Sequence, residues 1–202
     1  MSDPHAFWDG KYAGEGFFYG TRPNAWLASQ TGYLRPGLRV LVPGDGEGRN
    51  GVWLANQGLH VLSVDASAKG LAKAEALARQ HGVDLTTEVV DLRTWDWPRD
   101  VFDLAVLTYV HFHPDERVAF HRNVLGALRP GGTVLLEAFS PYQHIYRTGG
   151  SPHLDMLYTA WGLCQDFADA EIVLAEETLT ELDEGTGHSG TAAVTRLIAR
   201  RQ

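Results

Sequence analysis

The sequence predicts an α/β fold, a mostly parallel sheet flanked by helices and finished by an antiparallel hairpin. Three observations carry that prediction. Short apolar runs of strand length alternate with segments of helical period. The first run (Val40, Leu41, Val42) breaks into a turn with Gly44, Gly46 and Gly48 at alternate positions, and an apolar helical stretch (Val52, Trp53, Leu54, Ala55) follows. The chain then closes with two β-rich runs, EIVLAEETLTEL and AAVTRLIAR, joined by the glycine-rich DEGTGHSG, which is hairpin chemistry.

Taken in order, residues 1–35 form an aromatic-rich lead: Phe7, Trp8, Tyr12, Phe17, Phe18, Tyr19 and Trp26. Glycines at 10, 14, 16 and 20 break it up, so it reads largely as loop, with a helix starting at Pro23-Asn24. It is expected either to cover a sheet edge or to close over a ligand. The glycine turn comes next. Its glycines allow a sharp bend and let a ligand approach the main chain with no Cβ in the way. The helix behind it aims N–H groups and a positive dipole end at that bend.

GLHVLSVD makes a second strand ending in Asp65, and LTTEVV a third ending at Asp91. A carboxylate at the first place suits ribose hydroxyls and one at the second an adenine amino group; singly, each also suits an ordinary turn or cap. The glycine spacing is G-x-G-x-G rather than the dinucleotide G-x-G-x-x-G, and with the terminal hairpin this argues against a nicotinamide oxidoreductase. Between these strands Ser67 is a candidate N-cap for a helix to His81, with Leu71, Ala74, Leu77 and Ala78 on one face and Gly82 ending it. Trp95 and Trp97 are expected to pack rather than touch ligand.

The fourth strand, FDLAVLTYV, is apolar enough to be central and runs into His111-Phe112-His113-Pro114. Pro114 suits a first helical turn, His113 a cap, and His121 a boundary position with its nitrogen satisfied. His111 stands where open α/β sheets bind ligands, so it is a catalytic candidate or a purely structural imidazole. TVLLEAFS is the fifth strand. Residues 138–160 after it lack clean periodicity and read as a substrate-side loop with a short helix, offering Glu137, Tyr142, His144, Tyr146 and Arg147. His144 and His153 match no zinc spacing, and no metal is expected. Thr159 is placed to cap a helix through Phe167.

Composition narrows the function. At 202 residues the chain suits one domain, and with 44% hydrophobic residues it has no apolar run near the ~20 of a membrane span. MSDPHAFWDG lacks the basic and apolar regions of a signal peptide. Cys164 is the sole cysteine, so no internal disulfide is expected and a cytoplasmic setting follows. The net charge is −8 and no basic cluster exceeds Arg200-Arg201, which argues against nucleic acid as partner.

On Gly44-Asp45-Gly46-Glu47-Gly48-Arg49-Asn50, Val64-Asp65, Val90-Asp91-Leu92, Phe102-Asp103 and Leu128-Arg129-Pro130-Gly131-Gly132, the chain resembles the class I S-adenosylmethionine-dependent methyltransferases. Within them it looks most like the branch holding the tellurite-resistance and thiopurine enzymes. The resemblance implies a single Rossmann-like methyltransferase domain over 1–202, with a seven-stranded sheet ordered 3-2-1-4-5-7-6. It implies S-adenosylmethionine held by Gly44, Asp45, Gly46, Gly48 and Asn50, with Asp65 and Ala66 at the ribose, Asp91 and Leu92 at the adenine, and Thr108 nearby. Family members carry an acid where Val42 stands, and Asp45 is expected to take its place near the cofactor's ammonium.

Tyr12 and Tyr19 are expected over the cofactor, where ring faces attract a sulfonium by ~0.5–2 kcal/mol. Phe18, Tyr142 and Arg147 are expected on the acceptor side. After Glu181-Leu182 the branch has a His-Arg pair; here Asp183-Glu184 follows, so a tellurite oxyanion would meet two carboxylates, with His188 as a substitute imidazole or a plain turn residue. The expected activity is in-line methyl transfer to a small molecule, with no obligatory base. The other readings are a non-catalytic cofactor-binding protein of the same fold and, opposed above, the nicotinamide enzyme.

Overall fold

A computed structural model describes residues 3–202. It contains one seven-stranded sheet of order β3-β2-β1-β4-β5-β7-β6, the predicted order. The strands are β1 (Arg39–Pro43), β2 (His60–Asp65), β3 (Thr86–Val89), β4 (Phe102–Thr108), β5 (Leu128–Phe139), β6 (Ala170–Glu184) and β7 (His188–Arg201). The α-helices are α1 (Pro4–Lys11), α2 (Ala25–Ser29), α3 (Arg49–Asn56), α4 (Ala68–His81), α5 (Pro114–Ala127), α6 (Gln143–Tyr146) and α7 (Ala160–Asp166). No helix among the described residues is long and apolar enough to cross a membrane. The chain packs as two compact units, residues up to Asp96 with Glu184–Thr186, and Trp97–Asp183 with Gly187–Gln202.

In the first unit β1 pairs in parallel with β2, Val40 opposite Val61, and β2 with β3. Val40, Leu41 and Val42 are buried on both faces, as a continuous apolar run requires. Helix α4 starts where Ser67 accepts from Gly70 N–H at 2.9 Å and stops at Gly82 in the left-handed region. Its Leu71, Ala74, Leu77 and Ala78 are buried. The N-terminal lead holds more helix than its glycines predict. Pro4 sits in the first turn of α1, and Asp3 caps it by accepting from His5 N–H.

In the second unit β4 runs parallel to β5, and β5 antiparallel to β7. The pairing shifts between Phe102 and Leu104, so residues 129–132 bulge, and β5 starts earlier than the predicted TVLLEAFS. Trp97 packs edge-on to Phe120, which fits its expected packing role. Thr159 accepts from Gly162 N–H, the predicted cap of α7. The final hairpin turn is shorter than DEGTGHSG predicts, because β6 continues to Glu184 and β7 resumes at His188.

Candidate functional site

The first unit brings the glycine turn and Asp65 together. Gly44, Gly46 and Gly48 have φ of 69°, 59° and 86°, which only glycine adopts without strain. Two of these positions are also closed to a side chain: a Cβ on Gly48 would lie 2.4 Å from that of Ala74, and one on Gly46 would lie 2.6 Å from the Tyr12 hydroxyl. Asp65 joins the turn directly, accepting from Gly46 N–H at 2.9 Å and from Ser67 N–H at 2.8 Å. Burial raises its carboxyl to about 6 despite those bonds. Each of its oxygens keeps a second lone pair, so two ligand hydroxyls can still be accepted.

Asp45 departs from expectation. Its carboxylate is turned inward, accepting from Ser63 Oγ at 2.5 Å and from Gly51 N–H at 3.2 Å through both oxygens. It is 7% exposed, and burial raises its pKa. It therefore caps the first turn of α3. Asn50 is equally internal: its Oδ1 accepts from Asn24 N–H at 2.9 Å. Asp91 is gripped by Arg93 through Nε and Nη2, with the shortest contact 2.7 Å, and these bonds lower its pKa.

The N-terminal lead lies on this region. His5 Nδ1 donates to the Ala66 carbonyl at 2.6 Å, while Asp9 accepts from Ser67 Oγ at 2.6 Å and from Lys69 N–H at 3.0 Å. Trp8 stacks on Tyr12, and Tyr12 meets Tyr19 edge-on at 6.5 Å. Burial, reinforced by the Asp65 charge, pushes the Tyr12 hydroxyl far up, and burial lifts that of Tyr19 to about 12; neither ionises near neutrality. Phe18 N–H donates to Glu47 at 2.6 Å, and Glu47 is paired with Lys73 at 2.7 Å.

The second unit holds a separate cluster at the end of β4. Tyr109 has φ of 58°, a strained value for a non-glycine residue and of the kind found at functional sites. Its ring stacks on Phe139 at 4.4 Å and its hydroxyl donates to Glu137 at 2.8 Å; Glu137 also takes Arg196 Nε at 2.7 Å. In the sequence, Tyr109 is signalled only as a tyrosine at the end of a central strand. His188 is buried, edge-on to Tyr109 at 4.7 Å and to Phe139 at 5.1 Å, so it is a packed ring of β7 and not a turn residue. Thr108, opposite Glu137 in the ladder, ends β4.

His111 does not fit a catalytic base. Nδ1 donates to the Met156 carbonyl at 2.8 Å and Nε2 accepts from Phe139 N–H at 3.2 Å. Burial pushes its pKa down to about 4. The ring is neutral, fully used and structural. His121 is not the boundary residue expected: it is 0% exposed, its Nδ1 is 2.8 Å from Asp166, and its Nε2 has no partner among the described residues. Tyr142 and Arg147 flank α6 on the surface, Tyr142 being 65% exposed. No group of His, Cys, Asp or Glu among the described residues has a metal-binding arrangement.

Comparison with known proteins follows this geometry. Residues 40–132, from β1 through the bulge of β5, match the family profile described as a methyltransferase domain. Phosphoethanolamine N-methyltransferase of Triticum aestivum is 31% identical over 109 residues, covering 52% of this chain and 21% of that protein. The chain thus spans about a fifth of that relative's length. Cypemycin N-terminal methyltransferase of Streptomyces sp. is 28% identical over 192 residues, 88% of this chain and 78% of that protein. Among solved structures, a chain from work on the conversion of a disulfide bond into a thioacetal group during echinomycin biosynthesis superposes with a TM-score of 0.78. Its identity is 22%, over 98% of this chain and 92% of the other. TehB from Haemophilus influenzae gives 0.72 at 18% identity, over 98% and 67%. These superpositions establish the fold.

Proposed function

We propose that this chain is a class I S-adenosylmethionine-dependent methyltransferase, akin to the tellurite-resistance and thiopurine branch, that transfers a methyl group in line to a small-molecule acceptor. The observation that carries the reading is the bond from Gly46 N–H to Asp65, inside the stretch that matches a methyltransferase domain. It ties the glycine bend to an acid whose two oxygens each hold one bond and can accept from ribose.

S-adenosylmethionine is the cofactor, and when bound it supplies a methyl carbon already activated by a sulfonium. The chain's work is to bind, orient and exclude water. Asp65 and the backbone at Ala66 take the ribose. Asp91 and Leu92 take the adenine, with Arg93 yielding one of its bonds to the Asp91 carboxylate. Gly44, Gly46 and Gly48 keep side chains out of the bend, and Tyr12 and Tyr19 shield it from water. Thr108 borders the same ligand. Residues 1–35 serve as the lid and 138–160 as the acceptor-side loop of a single catalytic domain, with Phe18, Tyr142 and Arg147 contacting the acceptor. With both His111 nitrogens occupied, the acceptor arrives as an anion or passes its proton to His188. The lone cysteine suits the cytoplasm.

A second reading, cofactor binding without turnover, draws on the inward-facing Asp45 beside Val42, which leaves the cofactor's ammonium without its usual acid. Calorimetric titration with S-adenosylmethionine and with NAD tests the main reading, and heat on NAD alone ends it. Methyl transfer from labelled cofactor to thiols, amines, phenols and chalcogen oxyanions separates the two; tight binding with no transfer to any of them favours the second.

A further inference from the structure

We infer that the outer strand β6 is a docking edge for an extended, basic segment of a partner polypeptide, added as a further strand of the sheet. The inference goes beyond the reaction proposed above and does not depend on it.

Strand β6 ends the sheet order, so one side of its backbone ladder faces no other strand. It is 15 residues long and holds no Pro, Gly or Lys, residues that commonly interrupt or blunt such an edge. Exposure alternates along it as a pleat requires, and its outward face is Glu171, Val173, Glu177, Leu179, Glu181 and Asp183. Two of these are apolar yet open to solvent, Val173 at 44% and Leu179 at 56%. Ala160 N–H donates to Glu177 at 2.9 Å, which sets the start of α7 against the same face. The next residue, Trp161, is 75% exposed and adds an aromatic anchor beside the strand. Large apolar groups gathered on an open edge mark a place where another chain adds.

Charge decides which chain. Strand β6 carries Glu171, Glu176, Glu177, Glu181, Asp183 and Glu184 and no Lys or Arg. Its neighbour β7 brings three arginines, which meet only part of that charge. Arg196 is shared between Glu137 and Glu176, Arg200 reaches Glu171 at 3.4 Å, and Arg201 turns to Asp100. Glu184 is held by Arg49 at 2.9 Å. Glu177 and Glu181 accept from neutral donors, Ala160 N–H and the Thr191 hydroxyl, and no cation contacts either among the described residues. A second copy of this chain is the wrong occupant. Antiparallel pairing over the whole of β6 centres on Glu177, setting it against its own copy and Glu171 against Asp183. Like charges directly opposite destabilise a ladder. A basic strand reverses the sign of each such pair. Laid antiparallel, it presents positive, positive, apolar and positive residues, at alternate positions, to Asp183, Glu181, Leu179 and Glu177. Main-chain bonds along the edge supply affinity, and these alternate side chains supply selectivity.

The test titrates two labelled peptides into the full chain and follows fluorescence anisotropy. KTKTVTK has the required alternation; TTTKKKV has the same composition without it. Hydrogen exchange of the protein, with and without KTKTVTK, locates the contact. The docking edge predicts that KTKTVTK binds, that TTTKKKV binds about tenfold more weakly, and that amides within 170–184 become protected. Glu177→Gln combined with Glu181→Gln keeps an acceptor for each neutral donor, and thermal melting checks that the fold is kept. It should weaken KTKTVTK about fivefold. Leu179→Thr, at an exposed position, should weaken it about threefold. Equal binding of the two peptides, an unaltered affinity in the double variant, or no protection of 170–184 overturns the proposal and leaves plain charge attraction. No binding of KTKTVTK up to about millimolar also overturns it; the acids then serve only to keep edges apart. Sedimentation of the protein alone covers the remaining occupant, since a dimer with 170–184 protected would give the edge to a second copy and overturn the basic partner.

Discussion

Residue by residue, identity alone is a poor guide to role; what each polar atom is bonded to decides it. Asp45 and Asp65 are both buried acids near the glycine bend, yet the first is turned inward onto Ser63 and α3, whereas the second holds the bend itself with one bond to each oxygen. The Asp65 carboxyl is raised by burial from 3.8 to about 6. The folded chain thus holds this proton more tightly than the unfolded chain, so the group's stabilising contribution is greatest at low pH and declines between about pH 4 and 6. Ligand affinity has the opposite sign, since only the ionised carboxylate offers both oxygens to ribose. Cofactor affinity measured by calorimetry is expected to rise from pH 5 to 7 with its inflection near 6, and to be weak and pH-independent in Asp65→Ala. His111 behaves as a structural group. Its pKa is depressed from 6.5 to about 4, so its contribution is complete above pH 6.5 and is lost as pH falls toward 4. His111→Ala removes two buried hydrogen bonds, an expected loss of about 2–3 kcal/mol in denaturant unfolding. Turnover per folded molecule should stay within about twofold; a far larger fall would return the residue to the chemistry.

Among elements, the legible ones are those whose local chemistry and tertiary packing agree. Helix α4 carries its cap, its apolar face and its terminal glycine in the sequence, and Thr159 announces α7 in the same way. Helix α1 carries only a start signal, Asp3 and Pro4: it buries no residue and is held by His5 and Asp9, polar groups whose partners lie about sixty positions away. The hairpin runs past its predicted ends because β6 is an edge strand whose outward positions tolerate Asp183 as readily as a turn does. Glycines sort by what surrounds them. Gly48→Ala meets both a left-handed φ and the α4 backbone, whereas Gly82→Ala meets the φ penalty in open space. The first is expected to cost more than about 3 kcal/mol and the second about 1 kcal/mol, read from urea midpoints. Equal losses would show that α3 and α4 part easily at Gly48.

For the molecule as a whole, strand order, glycine bend and Asp65 could be read from the chain because short-range periodicity and spacing encode them. The roles of Asp45, His111 and Arg49 could not, since each depends on partners brought near only by folding: Ser63, Phe139 and Glu184. Binding of the proposed cofactor couples to global stability by mass action. At a hundredfold excess over Kd, S-adenosylmethionine should add about 2.7 kcal/mol and raise Tm, while NAD should leave it unchanged. Helix α1 is fastened to the turn after β2 by three bonds, His5 to Ala66 and Asp9 to Ser67 and Lys69. Under the lid role proposed for residues 1–35, ligand arrival would be paced by unlatching of the chain, a first-order event, and not by collision. In stopped-flow traces of tryptophan fluorescence the association rate should level off as ligand concentration climbs, and Asp9→Ala, which undoes two of the three fasteners, should lift that ceiling.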